Sequence, residues 1–100
     1  MAITIRTNRI DFFKRSTKPK MYLLYIVNEK HVSWDFCMRI LMNIFHKNVE
    51  DAHNITNEIL INGEGLCGVF MFEIAETKAE TVEEQAKKEG FTLQCLIEEV

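Results

Sequence analysis

An α+β sandwich is what the sequence predicts, a three-stranded antiparallel sheet packed against three helices in the order βααβαβ. Three observations predict it. Short apolar runs rich in aromatic and branched residues stand at residues 22–27, 65–74 and 91–97, as strands do. Two longer stretches, 34–45 and 49–62, lie between the first two runs and carry apolar residues at helical spacing. A third helical stretch, rich in charge, separates the last two runs.

The elements follow in order. Residues 1–20 hold Arg6, Arg9, Lys14, Arg15, Lys18 and Lys20 against one acid, Asp11, and end in a turn signature at Pro19. They read as a flexible basic arm ahead of a domain at 21–100. Residues 22–27 (YLLYIV) read as a buried strand that stops at the polar loop 28–31. Ser33 fits an N-cap and Asp35 puts negative charge in the first turn of the next helix, whose core face is Cys37, Ile40, Leu41, Ile44 and Phe45. Asn48 with Asp51 resembles a capping box for a second helix, 49–62, with Gly63 as its stop. Residues 65–74 are apolar on both faces until Glu73, which predicts a central strand. Thr77 and Glu80 form a capping box for a third helix whose weak stripe is Ala79, Val82 and Ala86, stopped at Gly90. Residues 91–97 close the chain as a strand with Phe91, Leu93, Cys95 and Ile97 on one side.

Composition narrows the function. One hundred residues make one domain with a modest core. The formal charge of −3 gives no positive field for nucleic acid, and no apolar run reaches membrane-spanning length. The N-terminus lacks the apolar core of a signal peptide. Cys37, Cys67 and Cys95 lie far apart inside apolar segments, which suggests buried thiols in a reducing cytoplasm. His31, His46 and His53 are not at metal-ligand spacing, and no phosphate or dinucleotide fingerprint occurs. Neither a metal, a cofactor nor a catalytic role is expected. A tight polar loop between two buried elements is instead a place to bind a partner.

Three segments carry a more specific resemblance. They are MYLLYIVNE at 21–29, NGEGLCGVF at 62–70, and EIAETK at 73–78. In this order and spacing the chain resembles ClpS, the adaptor of the bacterial ATP-dependent Clp protease, over residues 21–100. The resemblance implies a fold like the C-terminal domain of the ribosomal stalk protein. It also implies a job: binding the N-terminal domain of a Clp AAA+ unfoldase and delivering proteins whose first residue is bulky and hydrophobic. A small pocket takes that side chain and polar groups hold the free α-ammonium.

Position by position, the resemblance gives Asn28 as the ammonium-holding asparagine. Glu29 stands for the first loop aspartate, and Lys30 reverses the charge of the second. The ammonium-binding histidine falls at Leu60 and the gate methionine at Trp34. Cys37 and Thr56 replace a pocket valine and methionine, Val32 joins the substrate site, and Leu93 is kept. Glu73, Glu76, Thr77 and Lys78 match the unfoldase-facing positions. These departures imply an alternative, a degenerate adaptor that regulates the unfoldase with weak or altered recognition of N-termini. Plain roles also fit: Asn28 as a turn residue, Trp34 and Leu60 as core. A third reading is an unrelated interaction module that uses the basic arm on an acidic surface or nucleic acid.

Overall fold

A computed structural model describes the backbone of residues 3–6, and residues 19–29 and 32–100 in full. The elements are β1 (Ile3–Arg6), β2 (Met21–Asn28), α1 (Trp34–Asn43), α2 (Val49–Asn62), β3 (Glu64–Met71), α3 (Phe72–Lys88) and β4 (Leu93–Glu99). From Met21 onward the order is the expected βααβαβ, and β2 pairs antiparallel with both β3 and β4. The sheet gains a fourth strand. β1, inside the stretch read as an arm, pairs parallel with β4, and the order across the sheet is β1-β4-β2-β3. Residues 7–18 of the expected arm lie outside the described residues.

Alternation along β2 shows how the sheet meets the helices. Leu24 and Ile26 are fully buried, while Leu23, Tyr25 and Val27 between them are half-buried. Leu24 and Ile26 sit opposite Ile97 and Cys95 of β4, so the middle rows of one face of the sheet are apolar. The helices close over that face with Phe36, Ile40 and Leu41 of α1, Ala52 and Ile59 of α2, and Ala75, Ala79, Val82 and Ala86 of α3. Each large aliphatic side chain buried here contributes about 1.5–3 kcal/mol.

The helix ends obey local chemistry. The Ser33 hydroxyl accepts from the Phe36 N–H at 3.1 Å, and the Asn48 side chain accepts from the Asp51 N–H at 2.8 Å. Gly63 ends α2 with φ 90°, a left-handed conformation that glycine adopts without strain. Arg39 of α1 grips Glu89, the C-cap of α3, through two bonds of 2.7 and 2.9 Å.

Three expectations are corrected. β3 is an edge strand, not a central one: Leu66, Val69 and Met71 point out and are 37–49% exposed. Its outward apolar residues imitate a strand buried on both faces. α3 begins at Phe72, so Thr77 sits in the helix body and the Thr77–Glu80 capping box does not form. The Thr77 hydroxyl instead donates to Glu73 O at 2.9 Å, and the true N-cap, Met71, makes no side-chain cap bond. The closing strand runs Leu93–Glu99, two residues later than 91–97, because the turn after Lys88 includes Gly90 at φ 80°.

Candidate functional site

Asn28 closes β2 at a junction of three elements. Its backbone N–H donates to Gly63 O at 2.8 Å, at the end of α2. Its register partner on β4 is Leu93. The Asn28 Oδ1 is buried and has no hydrogen-bond partner among the described residues. An amide oxygen in that state attracts a donor, and a cationic donor most strongly. Glu29 follows it on the surface. Lys30, where the charge reversal falls, and His31 lie outside the described residues.

The chain re-enters at Val32, 7% exposed, and turns through Ser33 into α1. Trp34, in the first turn, meets the His53 ring edge-on, with centroids 4.9 Å apart and planes at 70°. Cys37, one turn further, is fully buried. On α2, His53, Thr56 and Leu60 follow one another at spacings of three and four, so they share a face. Thr56 is fully buried, with no hydrogen-bond partner for its Oγ1 among the described residues. Leu60 is partly buried against the hydrophobic core, and its side chain offers no hydrogen bond.

The structure brings Asn28 beside Gly63 and Leu93 and Trp34 beside His53, while Val32, Cys37 and Leu93 belong to the hydrophobic core against which Leu60 packs. His53, which pins Trp34, was not foreseen. The available signal was its place three residues ahead of Thr56 on the same helix face. A cleft of ≈ 450 Å³ between the end of α3 and the start of β4 is lined by Glu83, Ala86, Lys87, Phe91 and Leu93 among others. It shares only Leu93 with the junction and contains neither unpartnered oxygen.

The thiols are not activated. Burial pushes the Cys37 pKa up to about 11 and raises those of Cys67 and Cys95. All three stay protonated at neutral pH, and a thiol in that state is a poor nucleophile.

Glu73, Glu76, Thr77 and Lys78 lie on α3. The first three are exposed. Lys78 differs. Its ammonium donates to Ile44 O at 2.6 Å and lies 5.7 and 5.4 Å from the Phe45 and Phe70 ring centres.

The buried amide oxygen of Asn28 and the exposed polar residues of α3 are features that suit the binding of a partner. Comparison with known proteins agrees. The family model for the ATP-dependent Clp protease adaptor protein ClpS matches residues 17–96. The adapter protein ClpS of Campylobacter jejuni subsp. doylei is 41% identical over 95 residues, covering 95% of this chain and 98% of the relative. That of Nitratidesulfovibrio vulgaris strain DP4 is 40% identical over 82 residues, covering 82% and 79%. The structure of Agrobacterium tumefaciens ClpS2 bound to L-phenylalaninamide superposes with a TM-score of 0.77 at 24% identity, covering 83% of this chain and all of that one. The chain belongs to the ClpS family, the adaptors of the ATP-dependent Clp protease.

Proposed function

We propose that the chain captures proteins by their free N-terminus and hands them to a Clp AAA+ unfoldase. The observation that carries the first half is the buried, unpartnered Oδ1 of Asn28. An α-ammonium has three N–H donors. One meets Asn28 Oδ1, and the Glu29 carboxylate beside it adds attraction. Acetylation removes the charge and two of the donors, so only free N-termini satisfy this site. The first side chain enters among Val32, Trp34, Cys37, Thr56, Leu60 and Leu93. The A. tumefaciens ClpS2 complex supports this reading, because L-phenylalaninamide carries a free amine and a bulky apolar side chain.

The second half is docking. Glu73, Glu76 and Thr77 present a polar surface on α3 to the N-terminal domain of the unfoldase, with Lys78 at its edge. Nucleic acid and membrane are not partners in this proposal. Among the described residues no helix is long and apolar enough to cross a membrane. The three buried thiols suit a reducing cytoplasm, where the adaptor would work.

The test is degradation of a reporter by the Clp protease. Addition of the chain should speed loss of a reporter starting with Phe and leave its N-acetylated form untouched. One observation favours the second reading, a regulator that does not read N-termini. Leu60 gives the junction no hydrogen bond, and a bond to a charged group is worth about 1.5–3 kcal/mol. Unchanged reporter degradation while the chain still binds the unfoldase would establish that reading.

A further inference from the structure

β3 ends the sheet on the side away from β1, and among the described residues no strand lies beyond it. An edge strand leaves part of its backbone N–H and C=O groups without a ladder partner, ready to template another strand. Natural edges are blunted by short length, lysine, proline or a covering segment. This one runs for eight residues without a Lys, Arg or Pro, and Glu64 at its start is its only charge. Leu66, Val69 and Met71 on its outward face are 37%, 45% and 49% exposed. Their register partners on β2, Tyr25, Leu23 and Met21, continue the apolar face.

A bulge gives this strand a symmetry. β2 matches Leu24 to Gly68 and Tyr25 to Leu66, so Cys67 is an extra residue in β3. Strict alternation would put residues 64, 66, 68 and 70 on one face. The extra residue changes the set. Glu64, Leu66, Val69 and Met71 are exposed, while Gly65, Cys67, Gly68 and Phe70 are buried or half-buried. Each set reads the same from either end, about the midpoint between Cys67 and Gly68. An antiparallel strand of the same sequence, paired about that midpoint, sets Leu66 against Val69 and Glu64 against Met71. Parallel pairing in register would instead set Glu64 against Glu64, which like charge opposes.

We propose that β3 is a self-association edge, at which two copies of this chain join antiparallel about a twofold axis through the Cys67–Gly68 midpoint. A twofold interface uses the same patch on both copies, so that patch must complement itself. The palindromic edge meets this condition as it stands. The two sheets become one, the edge backbone groups gain partners, and Leu66 and Val69 of both copies form an apolar seam on the face away from the helices. An extended segment of a different protein can also add to an edge, but it would draw nothing from the palindrome. The proposal uses neither Asn28 nor the polar face of α3, so it stands or falls apart from N-terminal capture.

Sedimentation equilibrium of the full chain tests this, with cross-linking as a check on register. Wild type should pass from one chain to two as concentration rises from micromolar to millimolar. Val69→Lys should keep the wild-type melting temperature and weaken association about tenfold, because the twofold axis repeats each lost pair. Opposed Cβ atoms of an antiparallel pair lie about 4.5–5.5 Å apart, close enough for a disulfide. The native thiols are buried, so introduced ones react first. An equimolar mixture of Leu66→Cys and Val69→Cys should therefore cross-link under copper-phenanthroline oxidation far faster than either variant alone. A single-chain mass for wild type at every concentration overturns the proposal. So does association undiminished in Val69→Lys, or cross-linking of Leu66→Cys alone as fast as the mixture.

Discussion

The Lys78 ammonium donates to the Ile44 carbonyl at 2.6 Å, joining residues 34 positions apart. Ile44 is the C-cap of α1, and the last turn of that helix contains no basic residue. Lys78 supplies from α3 the positive charge that the carboxyl end of α1 lacks. A hydrogen bond to a charged group contributes about 1.5–3 kcal/mol, here at the lower end because Lys78 is half-exposed. Lys78→Met should therefore lower the melting temperature by several degrees. An unchanged melting temperature would show that the bond holds nothing together.

Lys78 is consequently a poor probe of docking, and Glu76 a better one. Glu76 is exposed on α3, and a surface charge away from packing shifts stability by only about 0.5 kcal/mol. Glu76→Arg should weaken binding to the unfoldase N-terminal domain at least severalfold, with the melting temperature unmoved. Undiminished binding would remove this face of α3 from the docking surface.

Gly65 sets how close β3 lies to α2. A Cβ there would stand 2.8 Å from Ile59 Cγ1 and 3.0 Å from the Ile55 carbonyl. Backbone cannot yield as a side-chain tip does, so Gly65→Ala should destabilise the fold by about 1–3 kcal/mol, the range for overpacking. Denaturant unfolding measures this directly, and a neutral result would mean that the strand and helix are not held at this spacing.

The buried thiols set an alkaline limit. Burial raises the Cys37 pKa from 9.0 to about 11 and also raises those of Cys67 and Cys95. Because the folded values lie above the unfolded ones, the unfolded chain releases these protons first as pH rises. The stabilisation is complete below pH 9 and is lost as pH climbs through 11. Tyr22, also raised, acts in the same direction. The melting temperature should fall over that window, and less steeply in Cys37→Ala. A flat profile would contradict the burial of Cys37.

Much of this was legible in residue order. The cap residues Ser33 and Asn48, the stop at Gly63 and the alternation in β2 each act through neighbours in sequence, so pattern reveals them. The start of α3 was hidden because Phe72 and Ile74 continue the two-residue rhythm of β3. The contrary signal was Ala75, which with Ala79, Val82 and Ala86 makes a helical face of four buried residues. β1 was hidden because its four residues are ordered by pairing with β4, some ninety residues away in sequence. The family resemblance supplied the candidate site residues, while sequence could not show that the Asn28 Oδ1 and the Thr56 Oγ1 lie buried without a partner among the described residues. That property depends on tertiary packing, and no single segment contains it.

Calorimetric titration with L-phenylalaninamide and its N-acetyl derivative tests the central claim most directly, using wild type and Asn28→Ala. Capture of a free N-terminus at Asn28 predicts that wild type binds the free amine and not the acetylated compound, and that Asn28→Ala binds it at least tenfold more weakly. Equal binding of both compounds, or full affinity in Asn28→Ala, would contradict it.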